Sequence, residues 1–245
     1  MAQRSSIEWT ESTWNPITGC DHVSNGCDHC YAERLAFRLQ AMGSKRYRDG
    51  FRLTIHEDLF NLPLRWREPR TIFVNSMSDL FHESVPFSTI EAIFRTMNAA
   101  HWHTFQVLTK RPFEMLKHCE ELTWTPNIWM GVTVESSRYV HRLEALRQVP
   151  ATVRFVSFEP LLSPIPMSVS LEGIHWAIVG GESGPGARPM DPSWATDIRE
   201  LCRGYGTAFF FKQWGGVRKS KTGRILEGRT WDELPEATPP ERAAL

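Results

Sequence analysis

The chain has 245 residues, with 28 Lys plus Arg against 28 Asp plus Glu and 41% hydrophobic residues. That length is enough to bury a full core in one domain, and a balanced charge argues against a protein whose whole surface binds polyanions. No apolar run approaches the roughly 20 residues of a membrane span, and no apolar stretch follows Met1, so the expected location is the cytoplasm, with no membrane partner.

Short apolar runs alternate with amphipathic stretches along the chain. A first strand is expected around Trp14 to Thr18. The cysteine-rich loop follows, and then a helix from Tyr31 to Met42. Residues 43–70 form a long connection, and residues 31–70 carry nine Lys or Arg against five acids. Buried strands are expected at 71–75, 104–109, 128–134, 153–158, 174–179 and 208–211, because each is rich in β-branched or aromatic residues and four to seven long. Between them lie helix signals. Ser88 and Glu91 have capping-box spacing ahead of Ile90, Ile93, Phe94 and Met97. Pro112 suits the first turn of a helix that buries Phe113 and Leu116. Ser137 can cap a helix facing Val140, Leu143 and Leu146 inward. Trp194, Ile198 and Leu201 share one face of another. Residues 216–245 form a Gly- and Pro-containing tail that wraps over the domain.

Strand and helix alternating about six times predict an α/β fold with parallel strands. Polar residues follow nearly every strand: Asn75, Ser76 and Asp79, then Lys110, Glu135, Glu159, Glu182 and Lys212. In a barrel these ends meet at one mouth, whereas in an open sheet they spread along an edge. The expectation is therefore a single-domain, partial or near-complete (β/α) TIM-like barrel. Residues 1–215 form it, with the cysteine loop at 20–30 and a basic insertion at 43–70.

Cys20, Cys27 and Cys30 lie within eleven residues, whereas Cys119 and Cys202 are isolated at apolar helix positions and read as packed thiols. The spacing is C-x6-C-x2-C, and the last cysteine opens a helix. Three thiolates in such a loop can hold three corners of a four-iron cluster and leave the fourth iron open. A zinc site with His22 or His29 as fourth ligand is the alternative. Gly19 and Gly26 would let backbone approach the sulfurs. Arg34 and Arg38, one turn apart, read as a solvated helix face.

The run Trp14-Asn-Pro…Gly19-Cys…Gly26-Cys…Cys30-Tyr-Ala resembles the radical S-adenosylmethionine (SAM) superfamily. It is more closely similar to a phage- and bacteria-borne family of three-Cys-motif, radical-SAM-like proteins. The segments 75–81, 108–112, 131–135, 157–162, 179–184 and 211–215 carry the same resemblance, which spans residues 5–216. It implies a [4Fe-4S] cluster on Cys20, Cys27 and Cys30, with SAM chelating the open iron. An external electron donor would then be a partner, and a 5′-deoxyadenosyl radical would act on an unknown substrate. It further implies that Asn75, Ser76 or Asp79 holds the methionine end of SAM and that Glu135 takes the ribose. Lys110, Glu159, Glu182 and Lys212 are the catalytic candidates lining the mouth. The sequence departs from the superfamily's C-x3-C-x2-C by three extra residues in the first interval. Its Gly180-Gly181-Glu182 follows the sixth strand, where the superfamily's Gly-Gly-Glu follows the second. Two other readings stand beside this one: a zinc- or cluster-bearing binding protein without turnover, and an enzyme modifying a nucleic acid or nucleotide through the cations of residues 45–70.

Overall fold

The computed structural model describes residues 5–236, so residues 237–245 of the expected tail lie outside it. Seven strands form one parallel sheet: β1 (Ser12–Trp14), β4 (Thr71–Val74), β5 (Thr104–Thr109), β6 (Ile128–Thr133), β7 (Arg154–Phe158), β8 (Trp176–Gly180) and β9 (Ala208–Gln213). Their spatial order follows the chain from β1 to β9, with β1 and β9 at the edges. The sheet curls into a half-barrel, an α/β partial TIM-like fold in one domain. A separate antiparallel pair joins β2 (Ile17–Thr18) to β3 (Thr54–Ile55).

The single strand expected over 14–18 is thus two. Pro16 has no N–H to give a ladder. The chain leaves the main sheet there, and Pro16 instead accepts from the His56 N–H at 2.8 Å.

The described residues form five helices of at least six residues: α1 (Tyr31–Ala41), α2 (Phe87–Ala99), α3 (Pro112–His118), α4 (Arg142–Arg147) and α5 (Pro192–Tyr205). A parallel connection needs a crossover, and the one from β7 to β8 is irregular chain that buries Leu161, Ile165 and Leu171 in place of a helix. The α2 helix begins one residue before Ser88, with Pro86 at its cap and no side-chain cap bond, so the capping-box spacing is not used. Phe87 instead anchors that end by stacking on His118 with ring centroids 4.6 Å apart. In α3 the inward positions are Pro112 and Met115, one turn apart, and Phe113 points away at 59% exposure, against expectation. Ser137 starts a short 3-10 turn rather than capping α4.

Two cores result. The larger lies between the sheet and the helices, with Ile93, Phe94, Leu146 and Ile198 facing Val107, Met130, Val156 and Phe211. The smaller lies on the helix-free concave face, where Phe73, Trp129, Phe155, Trp176 and Phe210 pack around Trp9. Gly131 exists for this second core, because a Cβ there would come within 2.5 Å of the Phe155 ring. Chain beyond β9 closes on that strand and on β8, with Phe211 N–H donating to Trp231 O at 2.9 Å and Trp176 Nε1 to Glu233 O at 2.9 Å. No helix among the described residues is long and apolar enough to cross a membrane.

Candidate functional site at the mouth of the half-barrel

Side chains alternate along a strand, so Asn75, Lys110, Glu135, Glu159, Glu182 and Lys212 share the concave parity of Phe73, Trp129, Phe155, Trp176 and Phe210. They occur at the C-terminal ends of their strands, and the cysteine loop lies across those ends. Five strand ends hold the loop or brace what holds it.

At the first end, Asn15 Oδ1 accepts from Ser76 Oγ at 3.1 Å and from Met77 N at 3.0 Å. This ties β1 to the turn after β4. Asn75 heads that turn at φ 58°, in the left-handed region that Asn tolerates. Its Oδ1 accepts from Ile17 N at 3.4 Å, while its buried Nδ2 has no partner. Ser76 O accepts from Tyr31 OH at 2.5 Å, which fixes the start of α1. Asp79 is fully engaged. Oδ1 accepts from Thr109 Oγ1 at 2.7 Å and Phe81 N at 3.1 Å, and Oδ2 accepts from Lys110 N at 2.9 Å and faces Arg111 Nη1 at 3.5 Å. Its four partners make it a brace between β4 and β5.

At the β6 end, Glu135 is fully buried. Oε1 accepts from Ser24 Oγ at 2.5 Å and stands 3.7 Å from Lys110 Nζ, and Oε2 accepts from Arg142 Nη1 at 2.9 Å. Gly26 allows this: a Cβ there would sit 2.5 Å from Glu135 Oε1. Gly19, at φ +85°, likewise leaves room for the Arg52 carbonyl. The two glycines therefore admit a carboxylate and a carbonyl, where approach to the sulfurs was expected.

At the β7 and β9 ends Lys212 Nζ donates to Glu159 Oε1 at 2.5 Å. At the β8 end Glu182 Oε2 takes His29 at 2.9 Å, Arg188 N at 2.9 Å and Arg188 Nε at 3.0 Å, and Oε1 takes Arg188 Nη2 at 2.5 Å. Burial would raise this carboxyl's pKa, but the bonds from Arg188 and His29 outweigh it and hold it at about 2. Arg188 also reaches Asp28 Oδ2 at 3.2 Å and Asn25 O at 2.8 Å. Arg34 works beside it, donating to the carbonyls of His29 at 2.9 Å, Ser183 at 2.7 Å and Pro185 at 2.9 Å. Arg34 is thus a clamp and Arg38 alone is the solvated one. Gly181 serves packing, since a Cβ there would meet Trp214 O at 2.1 Å.

All three clustered cysteines are free thiols and partly exposed, whereas Cys119, just past α3, and Cys202, in α5, are buried. Burial pushes Cys202 up to about 12, which suits a packed thiol. Cys30 caps α1. Burial raises its pKa against the pull of the Glu33 and Ala32 N–H groups and the Lys110 ammonium. Cys20 goes up to about 11 through burial and the Asp79 carboxylate, against the pull of Arg111, whose Nη1 is 3.3 Å from its Sγ. Cys27 has Ser24 Oγ 3.8 Å from its sulfur. Among the described residues no three His, Cys, Asp or Glu side chains gather closely enough to hold one metal ion. His29 is tied to Glu182, and His22 stands 3.4 Å from Glu33. Around one zinc four ligands share a 2.3 Å shell; in a cluster each thiolate takes its own iron. Three thiols on one loop with the Arg111 guanidinium and the Lys110 ammonium beside them are the donor set that a cluster takes, one thiolate to each iron.

Sequence reasoning missed Asn15, Arg111 and Arg188, and it gave His29 and Arg34 other roles, a zinc ligand and a solvated face. Nothing in local spacing marks the pairings these residues make, since Arg188 and Asn25 are 163 residues apart.

A family model described as Protein of unknown function (DUF5131) matches residues 4–235. No curated protein matches the chain. Solved structures of spore photoproduct lyase are similar in fold. A mutant superposes with a TM-score of 0.53 at 12% identity, covering 87% of this chain and 79% of that one. Another mutant, with bound AdoMet and dinucleoside spore photoproduct, gives 0.52 at 10% identity and the same coverage. A complex with the dinucleoside spore photoproduct gives 0.50 at 12% identity, covering 86% of this chain and 78% of that one.

Proposed function

The chain belongs to the family described as Protein of unknown function (DUF5131), and from that premise we propose that it is a radical SAM-type iron–sulfur enzyme with its cluster on Cys20, Cys27 and Cys30. The observation that carries the reading is where the thiols lie. Three free cysteines on one loop sit across the mouth of a half-barrel, with one sulfur at a helix N-terminus and another under a buried guanidinium. A solved relative in fold holds AdoMet, which supports SAM as the second group. When bound, the cluster would supply the electron that cleaves the sulfonium of SAM and yields a 5′-deoxyadenosyl radical; an external donor would reload it.

The chain's own residues divide the remaining work. Asn75 Nδ2, which has no protein partner, is a donor left over for the methionine carboxylate, with Ser76 beside it. Glu135 and Glu182 hold the loop from opposite sides, and Asp79 braces the β5 end; both oxygens of each already have protein partners. Lys110, at 23% side-chain exposure and with one distant carboxylate, keeps donors free for the cofactor or substrate. The Lys212–Glu159 pair closes the far side of the mouth and can pass a proton to or from a substrate there. The substrate we place in the nucleic-acid or nucleotide class. The dinucleoside in the fold relatives supports it, as do the exposed cations Lys45 and Arg52 of the insertion that carries β3 beneath the loop. Within this reading residues 1–215 are the working domain, with the insertion at 43–70, and the tail begins at 216.

Iron and sulfide analysis of anaerobically reconstituted protein tests the proposal. About four irons per chain are expected, falling steeply in Cys20→Ala, Cys27→Ala and Cys30→Ala and unchanged in Cys119→Ala. Dithionite-reduced protein with SAM should form 5′-deoxyadenosine. Colourless protein with one zinc would replace the enzyme with a zinc-bearing binding protein.

A further inference from the structure

Arg111 follows β5 by two residues and is 5% exposed. A guanidinium carries five N–H donors and keeps its charge in a protein, so burying one requires acceptors on every side. Here Nε donates to Glu83 Oε2 at 2.9 Å and Nη2 to the Asp21 carbonyl at 3.2 Å. Nη1 is shared between Asp79 Oδ2 at 3.5 Å and Cys20 Sγ at 3.3 Å. Its own N–H is held by Thr109 Oγ1 at 2.9 Å, so the backbone that presents it is fixed as well.

The same contacts anchor part of the long first interval of the cysteine motif. Of the six residues between Cys20 and Cys27, Asp21 is held twice, its carbonyl by Arg111 and its carboxylate by His82 Nε2 at 3.0 Å. The Nδ1 of His82 accepts from Ser84 N at 3.1 Å, so Nε2 carries the proton given to Asp21. Ser24 is held by Glu135. Two of the six, Asp21 and Ser24, are therefore tied to the chain that follows β4, β5 and β6. Cys20 is the clustered thiol that has a buried cation on its sulfur, whereas Cys27 has a serine hydroxyl 3.8 Å away.

We infer that Arg111 is a positioning residue for Cys20, fixing where that sulfur points and offsetting part of its thiolate charge, so that the corner it holds favours the reduced cluster. This rests on the cluster reading above. Hydrogen bonds to cluster sulfurs and local net charge set the potential of such groups. Loss of the guanidinium should therefore make the cluster harder to reduce.

The test is an EPR-monitored redox titration with dithionite on reconstituted wild type, Arg111→Met, Arg111→Lys and Arg38→Met, with iron content and a thermal melt for each. Wild type without a cluster would sink the parent reading and this one with it. With a wild-type cluster in place, Arg111→Met should shift the one-electron reduction equilibrium about tenfold toward the oxidised side, about 59 mV. Arg111→Lys keeps the charge but loses the fork, so it should shift less and in the same direction. Arg38→Met should match wild type. Loss of iron in Arg111→Met with an unchanged melt also supports the inference, because a merely structural arginine would lower the melt first. If Arg111→Met does not fold, Arg111→Lys decides. A folded Arg111 variant with wild-type iron, potential and EPR signal overturns the inference and leaves the cluster reading standing.

Discussion

The floor and the mouth of the half-barrel are made by the same strands, a few residues apart on the same concave parity. On the floor, Phe73, Trp129, Phe155, Trp176 and Phe210 close around Trp9. At the mouth, the positions that continue this parity are Asn75, Lys110, Glu135, Glu159, Glu182 and Lys212, and five of the six carry charge. The floor is held by non-directional contact and the exclusion of water. The mouth is held by paired charges that fix geometry. A paired charge in a buried place adds little net stability, yet removing one partner strands the other. The two regions should therefore fail differently: floor substitutions register in unfolding, and mouth substitutions register first in what the loop can hold.

The sharpest way to break this comparison is Trp176→Ala. Trp176 is fully buried and touches Trp9, Trp129, Phe155 and Phe210 with centroid separations of 6.1, 6.2, 5.7 and 5.9 Å. Truncation of such a ring costs about 3–5 kcal/mol, read as a lower urea midpoint. A loss below 1 kcal/mol would mean the floor is not the stabilising half. Gly131→Ala is the next in size. It forces a methyl against the Phe155 ring, and overpacking of this kind costs about 1–3 kcal/mol. Its urea midpoint should fall while bound iron per folded chain stays at the wild-type level, since the clash is on the floor.

Glu182→Gln moves the test to the mouth. The side chain is 4% exposed and carries bonds from Arg188 and His29. Losing its charge should cost about 1.5–3 kcal/mol at pH 7. The sign with pH follows from a carboxyl held at about 2, below its ordinary value of 4.5. The wild-type advantage is complete above pH 4.5 and is lost as pH falls through 2. Urea unfolding of both proteins at pH 7 and at pH 3 should show the gap narrowing in acid. A gap that widens in acid would mean that Glu182 is not held as its anion.

Much of the half-barrel was legible because parallel strands covered by helices need apolar runs on both faces, and six such runs stand out between amphipathic stretches. The cysteine motif was legible because its spacing is dense. Three kinds of feature were not. Pro16 split a strand through a missing donor. Phe113 turned outward because a seven-residue helix buries one narrow face. The clamp residues were hidden because long-range pairing leaves no trace in local spacing: Arg188 and Asn25 are 163 residues apart, and Ser24 and Glu135 are 111 apart. The polar strand ends were found, but their partners were not. Asp79 and Glu135 therefore read as free ligands when both are braced.

Arg34 and Arg38 bring that limit down to one pair. They lie one turn apart on α1, and the sequence treats them alike. The structure does not. Arg34 spans from α1 to the loop after β8 and donates to three carbonyls, and its guanidinium lies so close to Gly184 that a Cβ there would be 2.7 Å from Nη2. Arg38 is exposed on the same helix. Arg34→Ala leaves three carbonyls without their donor and should cost about 1–3 kcal/mol. Arg38→Ala should stay within about 0.5 kcal/mol, as surface changes do. The same two variants separate stability from function, because the carbonyls Arg34 holds belong to His29 in the cysteine loop and to Ser183 and Pro185 opposite. Arg34→Ala should therefore also lower iron retained after dilution, and Arg38→Ala should not. Equal losses in both proteins would return α1 to the solvated face that spacing alone suggests.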